Sequence, residues 1–301
     1  KKDQYKGYNI YSMKKYVDKK RIIFTTIIVI LIIITLGFII YYSVDTTIRL
    51  KNAKRFEQKL IEYESSQEEL QKQEKERQAK IPKLTDEGKQ NIKGIYKSET
   101  KRVFLTFDDG PSVNTADVLD ILKSNDIKAT FFVLGTQVEK MPEMVKRAYQ
   151  EGHYIANHGY SHQYSQIYSS PETVLQEFNQ CNSAVAKAID VPEYNSHLFR
   201  FPGGSVGGKY ANLKAEAVTL LEQNNIMHVD WNALTGDAEK SSPDEEYLMN
   251  NLQKTTQNKN SIVILMHDAQ AKRVTVEFLP KLIEFFQQQG YQFENFYSII
   301  K

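Results

Sequence analysis

The sequence predicts an α/β fold, a barrel or distorted barrel of parallel strands, preceded by one transmembrane helix and a helical spacer. Three observations carry that expectation. Beyond Lys97, short apolar runs alternate with amphipathic stretches of helical period. Ahead of it lies one run of 21 residues without a charge. Acidic and imidazole residues recur just past the C-terminal ends of the apolar runs, the edge at which parallel α/β folds bind ligands.

The elements follow in chain order. Residues 1–21 carry eight Lys/Arg against two Asp, whereas residues 81–301 carry 22 Lys/Arg against 27 Asp/Glu, so the net charge of +2 conceals a basic leader and a mildly acidic domain. A domain with no basic stripe gives no reason to expect nucleic acid as a partner. Ile22 to Tyr42 is dominated by isoleucine, with Thr25, Thr26 and Thr35 as its main polar interruptions. At about 1.5 Å per residue it spans roughly 31 Å, the thickness of a bilayer core. A cleavable signal peptide has a shorter apolar region and a small-residue site after it, and the exit here reads Ile39-Ile40-Tyr41-Tyr42-Ser43-Val44-Asp45. The expectation is a retained anchor at 22–42. Lys14, Lys15, Lys19, Lys20 and Arg21 keep segment 1–21 in the cytoplasm by the positive-inside rule, which puts the C-terminal domain outside the cell.

Segment 43–97 is expected to be a charged helical spacer. From Arg49 to Lys80 it lacks Gly and Pro, and Leu50, Ala53, Leu60, Tyr63 and Leu70 fall near helical intervals, with Pro82 as the stop. A coiled-coil stalk is the alternative, against which Ser66, Gln67 and Gln73 break the seam. A monomeric domain is the expectation.

Residues 98–301 form the expected α/β domain. Its strand candidates are 102–107, 129–134, 153–157, 198–201, 226–231, 262–266 and 291–296, with helix candidates at 116–124, 142–151, 171–189, 213–224, 243–257 and 274–289. Seven strands in about 200 residues suit a closed or distorted barrel better than an open sheet. Cys181 is the only cysteine, which excludes an internal disulfide and a cysteine zinc site, so any metal must be held by His and carboxylates.

The first strand ends in Asp108-Asp109-Gly110-Pro111, two carboxylates that repel each other and so invite a cation, though such a pair also serves as a turn or helix cap. The third leads into His158-Gly159-Tyr160-Ser161-His162; two imidazoles at this spacing can hold one ion, or be ordinary surface or core histidines. The fourth ends Arg200-Phe201-Pro202-Gly203-Gly204, where glycine permits close backbone approach to a ligand. The sixth ends in His267-Asp268. Each feature alone has an unremarkable explanation; their recurrence at one edge is what carries the expectation of a site.

This ordered set resembles the polysaccharide deacetylase family, the NodB-homology enzymes of carbohydrate esterase family 4. The resemblance covers roughly residues 98–298 and rests on Thr106-Phe107-Asp108-Asp109-Gly110, on His158 with His162, on Arg200-Phe201-Pro202-Gly203 and on Leu265-Met266-His267. It implies a distorted (β/α) barrel of seven or eight strands. It implies hydrolysis of acetyl groups on chitin, peptidoglycan, xylan or related polymers, and among members it points to the membrane-anchored peptidoglycan N-acetylglucosamine deacetylases. It makes Asp109, His158 and His162 the ligands of one divalent ion, zinc first with cobalt or manganese as alternatives, with positions left open for water and the acetyl oxygen. It makes Asp108 the general base, held ionised by Arg200, and His267 the general acid. A Gly203 backbone N–H would stabilise the oxyanion, and Leu265 would line the acetyl pocket.

Two positions depart from the family pattern. Many members carry tyrosine where this chain has Gly203, and the aspartate that orients the catalytic histidine is normally followed by tryptophan. Here Trp231-Asn232-Ala233-Leu234-Thr235-Gly236-Asp237-Ala238 supplies Asp237, preferred to Asp230 because it lies past the strand end. Trp231 fits a core residue or a sugar platform equally, and His153, His197 and His228 match no motif. The expected partners are an acetylated cell-wall polysaccharide and the membrane. A chitooligosaccharide deacetylase, an O-acetyl esterase, and, in another class, an inactive metal-holding glycan-binding module are the competing expectations.

Overall fold

An uncharged isoleucine-rich segment and a Glu/Lys/Gln-rich segment follow one another with no proline between them. In the computed structural model, which describes residues 10–300, both lie on one helix, α1 (Ile10–Ala79). Residues 1–9 and the side chains of Lys14 and Lys15 lie outside the described residues, so the basic segment expected at 1–21 is described in full only from Tyr16. The chain divides into two units, Lys1–Lys75 and Glu76–Lys301.

In the first unit, the apolar segment is exposed throughout. Its polar interruptions are internally satisfied: the hydroxyls of Thr25, Thr26 and Thr35 donate to carbonyls three or four residues earlier at 2.8–3.0 Å. A helix whose every polar group is bonded within itself is the form a hydrocarbon environment tolerates.

The second unit starts ahead of the boundary expected at residue 98. Thr85 caps α2 (Asp86–Lys93) by accepting from the Gly88 N–H at 3.0 Å. Ile92 and Ile95 are buried with Phe104, Tyr154 and Phe296. Residues 76–97, expected as linker, thus belong to the second unit, because burying such side chains stabilises by about 1.5–3 kcal/mol each.

Eight strands follow: β1 (Arg102–Asp108), β2 (Thr130–Val133), β3 (Tyr154–Asn157), β4 (Leu198–Phe199), β5 (Met227–His228), β6 (Ala233–Leu234), β7 (Ser261–His267) and β8 (Gln292–Glu294). Seven form a curled parallel sheet in the order β5-β4-β3-β2-β1-β7-β6, a half-barrel open between β5 and β6. The central strand is β1. On one side β7 runs beside its whole length, from Arg102↔Ser261 to Asp108↔His267. On the other, β8 pairs its first half and β2 its second, through Arg102↔Gln292 and Thr106↔Thr130. Every expected strand is present; β6 is additional, two residues long in a stretch read as loop.

The helices are α3 (Val113–Ser124), α4 (Gly135–Lys140), α5 (Pro142–Gln150), α6 (Tyr164–Ile167), α7 (Pro171–Ile189), α8 (Ala211–Gln223), α9 (Glu245–Thr256) and α10 (Arg273–Gln288). Strand period two divides β1 between two environments. Val103, Leu105 and Phe107 join the core with Val118, Leu119 and Leu122 of α3 and Leu279 and Leu282 of α10. Phe104 faces the other way, with Phe132, Val263 and Phe296. Thr106 and Asp108 share that inner face, one and two steps nearer the strand's C-terminal end.

Candidate active site

At the C-terminal end of β1 the inner face turns from apolar to charged. Arg200, immediately past β4, is fully buried there, and its guanidinium makes four hydrogen bonds. Its Nη1 donates to Thr106 Oγ1 at 2.7 Å and to Asp108 Oδ1 at 2.8 Å; Nε and Nη2 donate to the carbonyls of Val229 and Asp230 at 3.2 and 3.1 Å. The Phe132 ring lies 3.9 Å below the charge. Burial pushes the Asp108 carboxyl up from its ordinary range, and the Arg200 guanidinium is the chief force against that shift.

The next residue, Asp109, leaves the strand at φ +70°, and His162 sits at φ +58°. Positive φ at non-glycine residues costs on the order of 1–3 kcal/mol and persists where the surroundings over-determine it. Asp109, His158 and His162 each bring one ligand atom to a common point, all within 4.8 Å of one another. Asp109 Oδ1 lies 3.6 Å from His158 Nε2 and 3.4 Å from His162 Nε2. His158 Nδ1 is 2.8 Å from the Arg200 carbonyl oxygen and donates to it, which leaves a lone pair on Nε2. Burial holds His158 down to about 3, so it stays neutral. Asp109 Oδ1 is buried without a hydrogen-bond donor. An orphaned carboxylate oxygen facing imidazole lone pairs fits a divalent cation, and one oxygen with two nitrogens is a donor set for zinc-like ions.

On the opposite side, His267 ends β7. Its Nδ1 lies 3.0 Å from Asp237 Oδ1, while its backbone N–H and the Thr275 hydroxyl donate to Asp237 Oδ2 at 2.8 and 2.7 Å. Burial disfavours the imidazolium, but the hydrogen bond and charge of Asp237, with the charge of Asp108, win and hold His267 up at about 9. Burial also works against the Asp237 charge, yet the His267 and Thr275 donors keep that carboxyl below its ordinary range. Asp230 is turned elsewhere, accepting from the Ser205 N–H and hydroxyl.

These groups open into one cavity of about 270 Å³, lined also by Gly203, Leu265, Trp231 and Tyr164. Gly203 adopts φ +74°, and its N–H has no protein acceptor among the described residues. A Cβ there would lie 2.7 Å from the Tyr164 hydroxyl. A larger groove of about 960 Å³ elsewhere, bordered by Lys101, Asn250 and Tyr291, contains no carboxylate or imidazole. All nine residues singled out from the sequence meet at the smaller cavity or, as Arg200 does, support a residue in it. His153, His197 and His228 lie outside it. The sequence did not single out Tyr164, Thr275 or Glu177, whose partners lie far away along the chain and follow no motif.

A polysaccharide deacetylase family profile matches residues 96–220, a span that includes Asp108, Asp109, His158, His162, Arg200 and Gly203 and stops short of Asp237 and His267. The chain is 36% identical over 198 residues to the putative polysaccharide deacetylase YheN of Bacillus subtilis, covering 64% of this chain and 66% of that protein. It is 33% identical over 205 residues to a peptidoglycan-N-acetylglucosamine deacetylase of Bacillus cereus, covering 66% and 71%. Among solved structures it is similar to a Streptococcus mutans CE4 esterase, with a TM-score of 0.63 and 30% identity over 69% of this chain and 90% of that one. The catalytic domain of a Eubacterium rectale peptidoglycan N-acetylglucosamine deacetylase gives a TM-score of 0.60 and 31% identity over 66% and 90%.

Proposed function

This chain belongs to the polysaccharide deacetylase family of hydrolases, and on that premise we propose that it removes N-acetyl groups from an extracellular polysaccharide, with N-acetylglucosamine of peptidoglycan as the substrate. The observation that carries the proposal is the convergence on one cavity of three sets of groups: the cluster of Asp109, His158 and His162, the Asp108–Arg200 pair, and the His267–Asp237 pair. The polymer rests on the relatives of Bacillus cereus and Eubacterium rectale, which carry that substrate in their names.

A divalent ion held by Asp109, His158 and His162, zinc first, would supply Lewis acidity that polarises an acetyl carbonyl and lowers the pKa of water toward neutrality. The chain's own groups do the rest. Asp108, oriented by Arg200, takes the proton of the attacking water as general base. The unengaged Gly203 N–H donates to the oxyanion that develops on the former carbonyl. His267, kept cationic by Asp237, gives its proton to the departing amine nitrogen, so that acetate and a free amine leave. Leu265 borders the space for the acetyl methyl.

The exposed apolar stretch of α1 serves as a single-pass anchor, with the basic flank inside and the catalytic unit outside, near the polymer. The test is acetate release by the full chain in detergent from N-acetylglucosamine oligomers and from purified peptidoglycan, with and without added zinc. Zinc-dependent release that Asp109→Ala abolishes is the expected result. Release from acetylated xylan alone would transfer the proposal to an O-acetyl esterase, and glycan binding without any release would transfer it to an inactive binding module.

A further inference from the structure

We propose that Glu177, on α7, is a positioning residue for the metal site: its buried carboxylate anchors the loop between His158 and His162 and thereby sets the affinity for the divalent ion. The inference rests on the assignment of Asp109, His158 and His162 as ligands.

Between the two imidazoles the chain turns through φ +90° at Gly159 and reaches φ +58° at His162, and neither a strand nor a helix holds it there. Its polar groups are instead gathered by α7. Glu177 Oε2 accepts from the Tyr160 and Ser161 backbone N–H groups at 2.5 and 2.7 Å, and Oε1 accepts from the Ser161 hydroxyl at 2.7 Å. Ser161 Oγ accepts in turn from the Gln163 N–H at 3.1 Å. Asn157 completes the attachment. Its Oδ1 accepts from the Gly159 N–H at 2.9 Å, while its Nδ2 donates at 2.8 Å to the carbonyl of Phe178, the neighbour of Glu177. On the other flank the carbonyls of Gly159 and Tyr160 accept from the Gly135 and Thr136 N–H groups at 3.0 Å.

Glu177 is 6% exposed, and among the described residues no Lys or Arg pairs with it. A buried carboxylate without a counter-cation is costly unless donors surround it, and here three loop donors do so. Two successive backbone N–H groups aimed at one anion form a rigid cradle, which resists relaxation of the strained His162 backbone. Ligand atoms must be held to about 0.5 Å for tight coordination, and partners that hold ligands typically change metal affinity by about 10–100-fold when removed.

The experiment measures zinc affinity of the full chain in detergent by competition with a chromogenic chelator. Glu177→Gln keeps the side-chain size but places an amide NH2 against donors on one side. A loss of about 10–100-fold in zinc affinity is expected, with acetate release lost at limiting zinc and recovered at saturating zinc. Unchanged zinc affinity in a folded Glu177→Gln protein overturns the proposal, because a purely structural carboxylate would lower thermal stability alone. Ser161→Ala removes one donor and decides the matter if Glu177→Gln does not fold: a smaller loss of about threefold supports positioning, and no loss overturns it. A wild-type chain whose zinc binding is absent, or indifferent to His162→Ala, defeats the ligand assignment itself, an outcome distinguishable from failure of Glu177 alone.

Discussion

His267 and Asp237 hold each other's charge, and that mutual hold has a pH signature. The folded-state pKa of His267 stands at about 9, above an unfolded value near 6.5. The stability it contributes is therefore fully present below about 6.5 and is lost as pH rises through about 9. With His267 as the proposed acid, deprotonation in the same range would remove the proton needed by the leaving amine, and acetate release is expected to fall on the alkaline side. Asp237→Asn deprives the imidazolium of its partner, and a pH–rate profile is expected to show the alkaline limb displaced toward neutrality; an unmoved limb would refute His267 as the acid. Gly203 is constrained in a different way. Its φ of +74° and the Tyr164 hydroxyl beside it both oppose a side chain. Gly203→Ala should lower the thermal midpoint and reduce kcat/KM by about tenfold or more. Adding Tyr164→Ala should restore part of the stability by relieving the contact while leaving the backbone strain. At this scale the sequence was informative where a motif names a residue, and silent for Tyr164 and Thr275, whose relevance comes from folding across the cavity.

At the scale of elements, one side chain ties strands of the half-barrel together across its inner face. Arg200 follows β4, reaches Thr106 and Asp108 on β1, and bonds the carbonyls of Val229 and Asp230 just past β5. Arg200→Met leaves the Asp108 carboxylate buried without its cation, and urea unfolding should show a loss of about 3–5 kcal/mol. A loss below about 1 kcal/mol would mean that Asp108 takes up a proton and forgoes the pair. The longer elements, β1, β7, α7 and α10, were readable from their period and length. Three of the short ones were not: β6 has two residues, and α4 and α6 have six and four, too few for a period to register. Two-residue strands exist because a neighbour's hydrogen bonds define them, as Ala233↔Ile264 and Leu234↔Leu265 do for β6.

For the whole molecule, an exposed isoleucine-rich helix and a catalytic unit on one chain make a prediction about location. If 22–42 is a retained anchor, the full-length protein should stay in the membrane pellet after alkaline carbonate washing. A soluble product beginning beyond residue 42 would show that the segment is a cleaved leader. The expected boundary at residue 98 fell short of the structural one at residue 76 for a physical reason. A largely polar stretch in which Ile81, Leu84, Ile92, Ile95 and Tyr96 are scattered reads as linker, and only the core that receives Ile92 and Ile95 reveals it as part of the unit.

The sequence by itself determined the alternation of strands and helices, the uncharged run long enough to span a bilayer, and the order of acidic and imidazole residues at the strand ends. Local period, length and spacing suffice for each of these. The tertiary structure alone decided that the barrel stays open between β5 and β6 and that Glu177 holds the histidine loop. Those outcomes depend on which distant backbone donors find which buried carboxylates, and the cost of leaving a charge unpaired inside the fold is a property of the assembled core that linear spacing does not encode.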